Sequence, residues 1–311
     1  RQPLPEIPET QVPGSSHRPH IGTRVLLAED NVTNQIVGSA MLRNLGCHVD
    51  VAANGREAIQ MVETFPYEIV FMDCEMPEMD GFEATAAIRR RSDGKSRLPI
   101  VAVTAQAMQG DKGNCLLAGM DDYIPKPAKQ EDFAAALKRW APAKQQEDGD
   151  EIQQYHAENE KTASVGTANS SSSPLSSFSS GASGAPSALN ANAVARLRAL
   201  GEVTEPSLMS RIFTSFLNEG AERIKLLRIS LDGSDAKLLR KTAHTLRGAS
   251  LSIGALHMAE LAQQLEALDK AHSAAGAGAL IEQIEGEFER IKAEIAKLDM
   301  QSESSFDKAQ S

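Results

Sequence analysis

The chain has 311 residues, of which 41% are hydrophobic and 24% are charged, and its formal net charge at pH 7 is −10. This length is sufficient for two domains of ordinary size, and the hydrophobic share is typical of a protein with a buried core. General nucleic-acid binding is excluded as a function class, because it requires a basic stripe and the sequence contains no long cluster of Lys and Arg.

The first half of the sequence predicts an α/β domain. Residues 1–22 are polar and rich in Pro, which indicates a linker. From residue 23 to 142, five short apolar runs alternate with amphipathic stretches, a pattern typical of βαβ units. We expect a five-stranded parallel sheet with helices on both faces. The runs are Val25–Ala28, His48–Ala52, Glu68–Met72, Ile100–Val103 and Asp122–Ile124.

The second half of the sequence predicts a tether followed by a helical domain. Residues 143–188 are poor in apolar side chains and rich in Ser, so they are predicted to be a disordered linker. Residues 189–298 carry Leu and Ile at helical spacing, which indicates an all-α bundle. Residues 299–311 are predicted to be a flexible tail. One stripe of the bundle is formed by Ile281, Ile284, Phe288, Ile291 and Ile295.

Polar side chains follow four of the five predicted strands. Glu29 and Asp30 follow the first run, Asp73 the third, Thr104 the fourth and Lys126 the fifth. Taken singly, each would more often be a helix cap or a solvated surface group. The carboxyl ends of parallel strands, however, meet at the ligand-binding edge of a sheet. Clustered carboxylates suit Mg²⁺, and a carboxylate beside Mg²⁺ can attack phosphorus while an ammonium and a hydroxyl group stabilise the phosphoryl oxygens.

The sequence around these residues resembles the receiver domain of response regulators over residues 24–140. The matching segments are Leu26–Asn31, Met72–Gly81, Val103–Ala105 and Tyr123–Pro127. The resemblance implies a flavodoxin-like strand order. It also implies that Asp73 takes a phosphoryl group from a phosphohistidine.

The same resemblance implies a metal site. Glu29, Asp30 and Asp73 would hold Mg²⁺, helped by the backbone carbonyl of Glu75. Glu29 is a mild departure, because many members of the family have Asp at this position.

Further roles are implied for residues on the last two strands. Thr104 and Tyr123 match the pair of side chains that switch position on phosphorylation in this family. The Lys126–Pro127 bond matches a position that is usually cis.

A second candidate site lies on the predicted helix Asp235–Ile253. His244 falls roughly 160° from the centre of the apolar stripe, so its imidazole is predicted to face solvent. Nearby cations would stabilise a phosphorylated ring, and Gly248 would leave room for a partner's active site. The simpler interpretation is a solvated helix face that happens to contain a histidine. The stripe comprises Leu239, Thr242, Ala243, Leu246, Ala249, Ser250 and Ile253, and the cations are Lys237, Arg240, Lys241 and Arg247.

The segments Ala243–Ser250 and Ile253–Ala255 resemble the histidine phosphotransfer (Hpt) domain, with a similarity of pattern over residues 189–298. The resemblance implies that His244 carries a phosphoryl group, supported by Arg240, Lys241, Arg247 and Gly248. Arg247 stands where Lys is frequent in the family. The positive charge is kept, but a planar guanidinium replaces a point charge.

A receiver domain followed by an Hpt domain is the carboxyl-terminal order of unorthodox hybrid sensor histidine kinases. This order implies a two-component phosphorelay in which Asp73 accepts phosphate from a histidine kinase core and His244 passes it to a response regulator. A flexible tether raises the concentration of one site at the other. No ATP-binding motif is recognisable, so we expect the kinase core to lie in a longer parent chain.

Two other function classes stay open at the level of sequence. Asp73-Cys74-Glu75 is loosely similar to the Asp-x-Asp motif of hydrolases that form an aspartyl phosphate, although Glu75 replaces the second Asp. A docking protein with degenerate domains is the other alternative. The complete set of acidic residues, Thr104 and Lys126 argues against such degeneration.

Cysteine usage and hydropathy indicate the compartment. Cys47, Cys74 and Cys115 are too scattered for disulfides or a metal site, which predicts packed thiols in a reducing environment. No apolar run approaches the ~20 residues of a membrane span, and no signal peptide is visible. We expect a cytoplasmic segment without membrane contact. The chain begins with Arg1, which indicates a piece of a longer or processed protein, and a membrane anchor upstream stays open.

Overall fold

The computed structural model describes residues 22–91, 97–104, 115–141, 187–268 and 274–309. We call residues 22–141 the α/β domain and residues 187–309 the helical domain. Nearly all of the predicted linkers, 1–22 and 143–188, lies outside the described residues, as do the last two residues of the predicted tail.

The α/β domain is built on one parallel sheet with the strand order β2-β1-β3-β4-β5. This is the predicted flavodoxin-like order, and each strand lies within one residue of its predicted run. The central strands β3 and β4 are buried along their whole length, as expected where helices cover both faces of a sheet. The strands are β1 (Arg24–Ala28), β2 (His48–Ala52), β3 (Ile69–Asp73), β4 (Ile100–Thr104) and β5 (Asp122–Pro125).

Four helices of the α/β domain fall within the described residues. Three of them begin at side chains that cap the free N–H groups of the first turn, those of Asn31, Asn54 and Asp80. The Asn31 side chain accepts a hydrogen bond from the backbone N–H of Asn34 at the start of α1. Asp80 and Glu83 form a capping box at the start of α3. The helices are α1 (Val32–Asn44), α2 (Gly55–Thr64), α3 (Gly81–Arg89) and α4 (Gln130–Trp140).

The helical domain is an all-α bundle, which confirms the predicted class. The predicted stripe is buried, since its residues are at most 7% exposed. In the described residues the bundle consists of α5 (Ala191–Thr204), α6 (Leu208–Asp232), α7 (Ala236–Ile253), α8 (Leu256–Glu266) and α9 (Ala274–Ala309).

Both ends of the helical domain differ from the predicted boundaries. The helix α9 continues to Ala309, whereas we predicted a flexible tail from residue 299. The reason is that no Gly or Pro interrupts the segment between Asp299 and Ala309. At the other end, Ala188 is buried, and its backbone N–H donates to Oε2 of Glu294 at 2.7 Å. The packed domain therefore begins slightly before residue 189.

The two domains pack against each other through α1. This helix lies against α5, α6 and α7 of the helical domain. Val37 and Ala40 are buried in the same apolar cluster as Leu197, Phe216 and Leu246 of the bundle. The amino-terminal end of α1 follows directly from β1, so this packing brings the carboxyl edge of the sheet close to the bundle.

The burial of the three cysteines and the hydropathy of the helices can be compared with the sequence predictions. Cys47, Cys74 and Cys115 are all buried free thiols, as predicted for packed side chains. Among the described helices, none combines the length and the apolar character that crossing a membrane requires.

Candidate functional site

Three carboxylates and one ammonium group meet at the carboxyl edge of the sheet. Nζ of Lys126 donates hydrogen bonds to Oε2 of Glu29 at 2.7 Å and to Oδ2 of Asp73 at 2.6 Å. Carboxylate oxygens of Glu29, Asp30 and Asp73 all lie within 4.8 Å of one another. The strand ends thus bring together the residues that the sequence placed there, and we call these four residues the acid pocket.

The charges of the acid pocket are strongly coupled. Burial, reinforced by the charge of Glu29, raises the pKa of Asp30 to about 6. Burial also raises the pKa of Asp73 to about 7, although Lys126 opposes the shift. For Lys126 burial favours the neutral amine, but Asp73 and Glu29 outweigh it and hold its pKa above the ordinary value. One ammonium group does not fully offset three crowded carboxylates.

The donor set of the acid pocket fits a magnesium ion. Mg²⁺ prefers hard oxygen ligands, and three carboxylates here can present oxygens to one point. A divalent cation would also offset the burial and the mutual repulsion that raise the pKa values of Asp30 and Asp73.

The loop after β3 holds Asp73 in place. The backbone N–H of Glu75 donates to Oδ1 of Asp73 at 3.2 Å, and the N–H of Gly81 donates to the carbonyl oxygen of Cys74 at 3.1 Å. A Cβ atom at Gly81 would lie 2.1 Å from the carbonyl oxygen of Asp73. Helix α3 therefore begins in direct contact with the end of β3, and only a residue without a side chain permits this approach.

The remaining residues predicted for the α/β domain lie on β4 and β5. Thr104 ends β4 and is buried, and Tyr123 on β5 is half-buried against the core. The Lys126–Pro127 peptide bond is cis, as the resemblance implied. The residues that directly follow Thr104 lie outside the described residues.

His244 lies at the contact between the two domains. Its Nδ1 is 2.8 Å from Oε1 of Glu266 on α8 and 3.4 Å from Oε2 of Glu75 in the α/β domain. The residue is only 7% exposed, so the prediction that its imidazole faces solvent is wrong. The periodicity of one helix predicted its apolar stripe correctly, because most of that stripe is buried. It could not predict that α8 and a second domain cover the opposite face.

The surroundings of His244 favour its protonated form. Burial of the ring opposes protonation, but the hydrogen bond with Glu266 and the charges of Glu75 and Glu266 outweigh it and raise the pKa of His244. Because an ionised carboxylate only accepts hydrogen bonds, Nδ1 carries a hydrogen in both charge states of the ring, and Nε2 becomes the nucleophilic nitrogen when the imidazolium ion loses its other proton. Asp73 also contributes to the raised pKa, so its charge acts on the ring across the interface.

The predicted cations around His244 have different environments. Arg247 is buried, and its Nη1 donates to Oε2 of Glu266 at 2.8 Å. Arg240 is exposed and Lys241 is half-buried. The positive charge of Lys241 favours the ionised form of Asp30, which places this cation's influence at the acid pocket.

Helix α6 supplies a carboxylate to the amino-terminal end of α1. Oε1 of Glu219 accepts the backbone N–H of Val32 at 3.0 Å, and Oε2 accepts the N–H of Thr33 at 3.3 Å. The same Oε2 accepts Nδ2 of Asn31 at 3.0 Å and Oγ1 of Thr33 at 3.2 Å. One side chain of the helical domain thus satisfies four donors of the α/β domain.

Asn34 extends this contact toward His244. Its Nδ2 donates to Oε1 of Glu29 at 2.9 Å, and its Oδ1 accepts the hydroxyl of Ser252 at 2.7 Å. A Cβ atom at Gly248 would lie 3.3 Å from Nδ2 of Asn34. The small residue predicted to leave room for a partner therefore lies directly beside α1.

Sequence reasoning missed three residues of this region. Glu266, Glu219 and Asn34 each act through a contact with a distant part of the chain. Glu219 and Asn34 stand on polar helix faces, where their residue types are ordinary. Glu266 ends the helix that follows the His244 segment, and only its acidic type beside a candidate histidine helix gives a weak signal.

Comparison with known proteins identifies both domains. Residues 25–138 match the response regulator receiver domain, and residues 211–294 match the Hpt domain. The chain therefore joins a receiver domain to an Hpt domain, and this pair indicates two-component phosphorelay signalling. Its relatives include hybrid histidine kinases.

Three matches illustrate the similarity. Hybrid signal transduction histidine kinase B of Dictyostelium discoideum is 44% identical over 120 residues, which are 35% of this chain and 6% of that protein. The aerobic respiration control sensor protein ArcB of Escherichia coli is 27% identical over 277 residues, 88% of this chain and 32% of that protein. The chain thus spans a third or less of these relatives. The receiver domain of sensor histidine kinase PA1611 from Pseudomonas aeruginosa is 46% identical to this chain, with a TM-score of 0.36. The match covers 38% of this chain and 97% of that one. That domain was crystallised with a magnesium ion in its active-site cleft.

Proposed function

We propose that Asp73 accepts a phosphoryl group from a phosphohistidine of a kinase core and that His244 carries it to or from the aspartate of a response regulator. In the first step a carboxylate oxygen of Asp73 forms a bond to phosphorus while the P–N bond of the donor breaks, which leaves an acyl phosphate. In the internal step the unprotonated Nε2 of the neutral His244 ring forms the P–N bond while the bond between phosphorus and Asp73 breaks, which returns Asp73 to its carboxylate form.

One observation carries this proposal. The residue two positions after Asp73, Glu75, lies 3.4 Å from Nδ1 of His244, and the charge of Asp73 acts on the ring, so the acid pocket lies near the imidazole at the domain contact. Phosphoryl transfer depends mainly on positioning and charge stabilisation, and this contact supplies the positioning.

The acid pocket has a defined role for each side chain. Glu29, Asp30 and Asp73, with the backbone carbonyl of Glu75, would hold Mg²⁺, which when bound supplies positive charge for the phosphoryl oxygens. Lys126 neutralises further charge on these oxygens from its position between Glu29 and Asp73.

Other residues of the two domains respond to or support the phosphoryl group. The hydroxyl of Thr104 moves toward the phosphoryl group, and Tyr123 turns inward with it. On the Hpt side, Arg240, Lys241 and Arg247 provide positive charge near phosphorylated His244, and Gly248 gives the receiver access to the ring.

The parent protein is a hybrid histidine kinase in the proposed arrangement. Its kinase core phosphorylates Asp73, and a separate response regulator exchanges phosphate with His244. The receiver domain spans residues 23–142, a Ser-rich linker follows over residues 143–188, and the Hpt domain begins near residue 189. This segment lies in the cytoplasm and contacts neither nucleic acid nor membrane.

The test follows a radiolabelled phosphoryl group through the chain. Wild-type protein is incubated with a labelled small phosphodonor and Mg²⁺, and alkaline treatment separates base-labile acyl phosphate from base-stable phosphohistidine. We expect Asp73→Ala to abolish both labels and His244→Gln to remove only the base-stable label. His257→Gln, which changes an exposed histidine elsewhere in the Hpt domain, serves as the matched control and should behave as wild type.

The same assay separates the alternative functions. Steady release of inorganic phosphate by His244→Gln at the wild-type rate, without accumulation of label, would indicate an aspartyl-phosphate hydrolase. No labelling of wild-type protein, together with no binding of beryllofluoride, would indicate a docking protein without chemistry. Normal relay in both variants would show that the assigned residues are wrong.

A further inference from the structure

We infer that Glu219 is the docking determinant by which the Hpt domain recognises the receiver domain of its own chain. The inference rests on the proposed function, because docking of these two domains has a purpose only if phosphate passes between Asp73 and His244. Glu219 itself lies outside the acid pocket and does not contact His244, so it acts by positioning.

The geometry of Glu219 is that of a helix cap supplied by another domain. The first N–H groups of a helix lack partners within the helix and carry partial positive charge, which a carboxylate neutralises. Both carboxylate oxygens of Glu219 are used in this way, on the backbone N–H groups of Val32 and Thr33. Helix α1 therefore begins fully capped only when the domains are docked.

Two contacts of Glu219 depend on the side chains of the receiver. Nδ2 of Asn31 and Oγ1 of Thr33 both donate to Oε2, and Oγ1 of Thr33 also lies 3.3 Å from Oγ of Ser215. Any receiver can offer backbone N–H groups at this helix end, but only one with these side chains gives the complete set. Glu219 thus recognises the side-chain amide of Asn31 at the N-cap and the hydroxyl group of Thr33 two residues later.

Contacts around Glu219 match the two surfaces in apolar character and in charge. Val37 and Ala40, one and two turns further along α1, are buried in the apolar cluster of the Hpt bundle. On the other side, the positive charges of Arg223 and Lys241 act on Asp30 of the receiver. The surface of the Hpt domain is therefore complementary to the receiver of this chain.

Docking also determines which partner can reach His244. The ring is 7% exposed with the receiver in place, so the downstream regulator needs the same face that the receiver occupies. The strength of the Glu219 contact would accordingly set the competition between the internal receiver and an external one.

The first test measures docking without any phosphoryl transfer. The full chain is treated with diethyl pyrocarbonate, and mass spectrometry follows modification of His244 and of exposed His257, which serves as the internal standard. We expect Glu219→Ala to accelerate modification of His244 at least about fivefold relative to His257. Glu222→Ala, which removes an exposed carboxylate from the same helix, should leave the wild-type ratio unchanged.

A double-mutant cycle tests whether Glu219 acts through Thr33. Thr33→Val removes the hydroxyl group but keeps the shape of the side chain, and we expect about a twofold to threefold acceleration. Combined with Glu219→Ala it should add less than it does alone, because both changes remove the contact with Oε2 and only the contact between Thr33 and Ser215 is then left to lose. A wild-type rate of His244 modification in Glu219→Ala, or independent effects of the two changes, would overturn the inference.

The second test measures transfer and distinguishes this inference from the proposed function. Starting from Asp73 labelled by a small phosphodonor, we expect Glu219→Ala to slow the appearance of phosphohistidine at least about tenfold while Asp73 labels normally. In the wild type the transfer rate should not depend on protein concentration, since donor and acceptor share one chain. Faster transfer at higher concentration, or full-speed transfer in Glu219→Ala, would overturn the inference, whereas loss of Asp73 labelling in the wild type would overturn the proposed function.

Discussion

His244 is held by a carboxylate on Nδ1 while its Nε2 is left for chemistry. Glu266 is held in its ionised form. Burial disfavours its charge, but His244 and Arg247 more than compensate and keep the pKa of Glu266 below its ordinary value. The pair therefore consists of an ionised acceptor and a ring whose tautomer is fixed.

Replacing Glu266 should change the titration of His244 in a defined direction. Glu266→Gln keeps a hydrogen-bond acceptor but removes the negative charge that stabilises the imidazolium ion. We therefore expect the pKa of His244 to fall, so that the ring loses its proton at lower pH than in the wild type. Ring chemical shifts measured by NMR across a pH series give the midpoint.

The control for this titration uses a second pair of the same residue types. Glu260 lies 3.7 Å from His257 on the exposed side of α8, so Glu260→Gln should leave the titration of His244 unchanged. An unchanged or higher midpoint in Glu266→Gln would show that the carboxylate does not control the ring.

In the acid pocket the decisive property is the number of charges. Glu29→Gln preserves the size of a buried side chain but removes one of three carboxylates that surround the proposed Mg²⁺. We expect the dissociation constant for Mg²⁺ to rise at least about tenfold, because hard cations depend on ligand charge. Calorimetric titration with magnesium chloride measures it, with Glu83→Gln at the start of α3 as a control outside the pocket. Equal affinities in Glu29→Gln and wild type would contradict the assigned ligand set.

The end of β3 and the start of α3 form one structural unit. Gly81→Ala would place Cβ 2.1 Å from the carbonyl oxygen of Asp73, so the strand end or the helix must move. We expect a loss of about 1–3 kcal/mol in the free energy of unfolding, together with slower labelling of Asp73. Urea denaturation measures the first effect. Gly286→Ala on α9 is the matched control, since open space surrounds that Cβ position.

The elements themselves were largely predictable from the sequence. The strands of the sheet are short apolar runs bounded by polar residues, and the segment Asp235–Ile253 has one apolar stripe, so local pattern determines both. The end of α9 was not predicted, because a polar composition from residue 299 suggested a tail although nothing in that segment stops a helix. Composition describes whether a segment can be buried, whereas helix formation also depends on the absence of breakers.

In the candidate site, too, the features that depend on local sequence pattern were predictable and those that depend on distant contacts were not. Glu29, Asp30, Asp73 and Lys126 were predictable because strand ends in a parallel sheet must converge. The environment of His244 was not predictable, because it depends on how the next helix, which carries Glu266, and the distant residue Glu75 pack against the ring.

The contact between the two domains joins two sites that lie far apart in the sequence. A soluble helix normally has one apolar face, but α1 buries Gly38 and Leu42 on its own sheet and Val37 on the Hpt bundle. A helix with apolar residues on more than one side indicates that a second surface covers it.

Disrupting this apolar contact should undock the domains without unfolding them. Val37 belongs to the Hpt cluster and to neither apolar core of the receiver, so Val37→Asp places a charge only in the contact. The backbone N–H groups of Val32 and Thr33, which Glu219 accepts in the docked state, would then be open to solvent. We expect their hydrogen exchange, measured by NMR, to accelerate at least about tenfold.

Two controls are needed to interpret this exchange experiment. The N–H of Val70 in β3, which donates to the carbonyl of Pro99 at 2.9 Å, reports on the receiver core and should exchange at the wild-type rate. Leu117→Asp makes the same change at a residue that is 87% exposed and should leave all three amides as they are. If Val32 and Thr33 stay protected in Val37→Asp, the apolar face of α1 does not hold the domains together; if Val70 also loses protection, the change has unfolded the receiver instead.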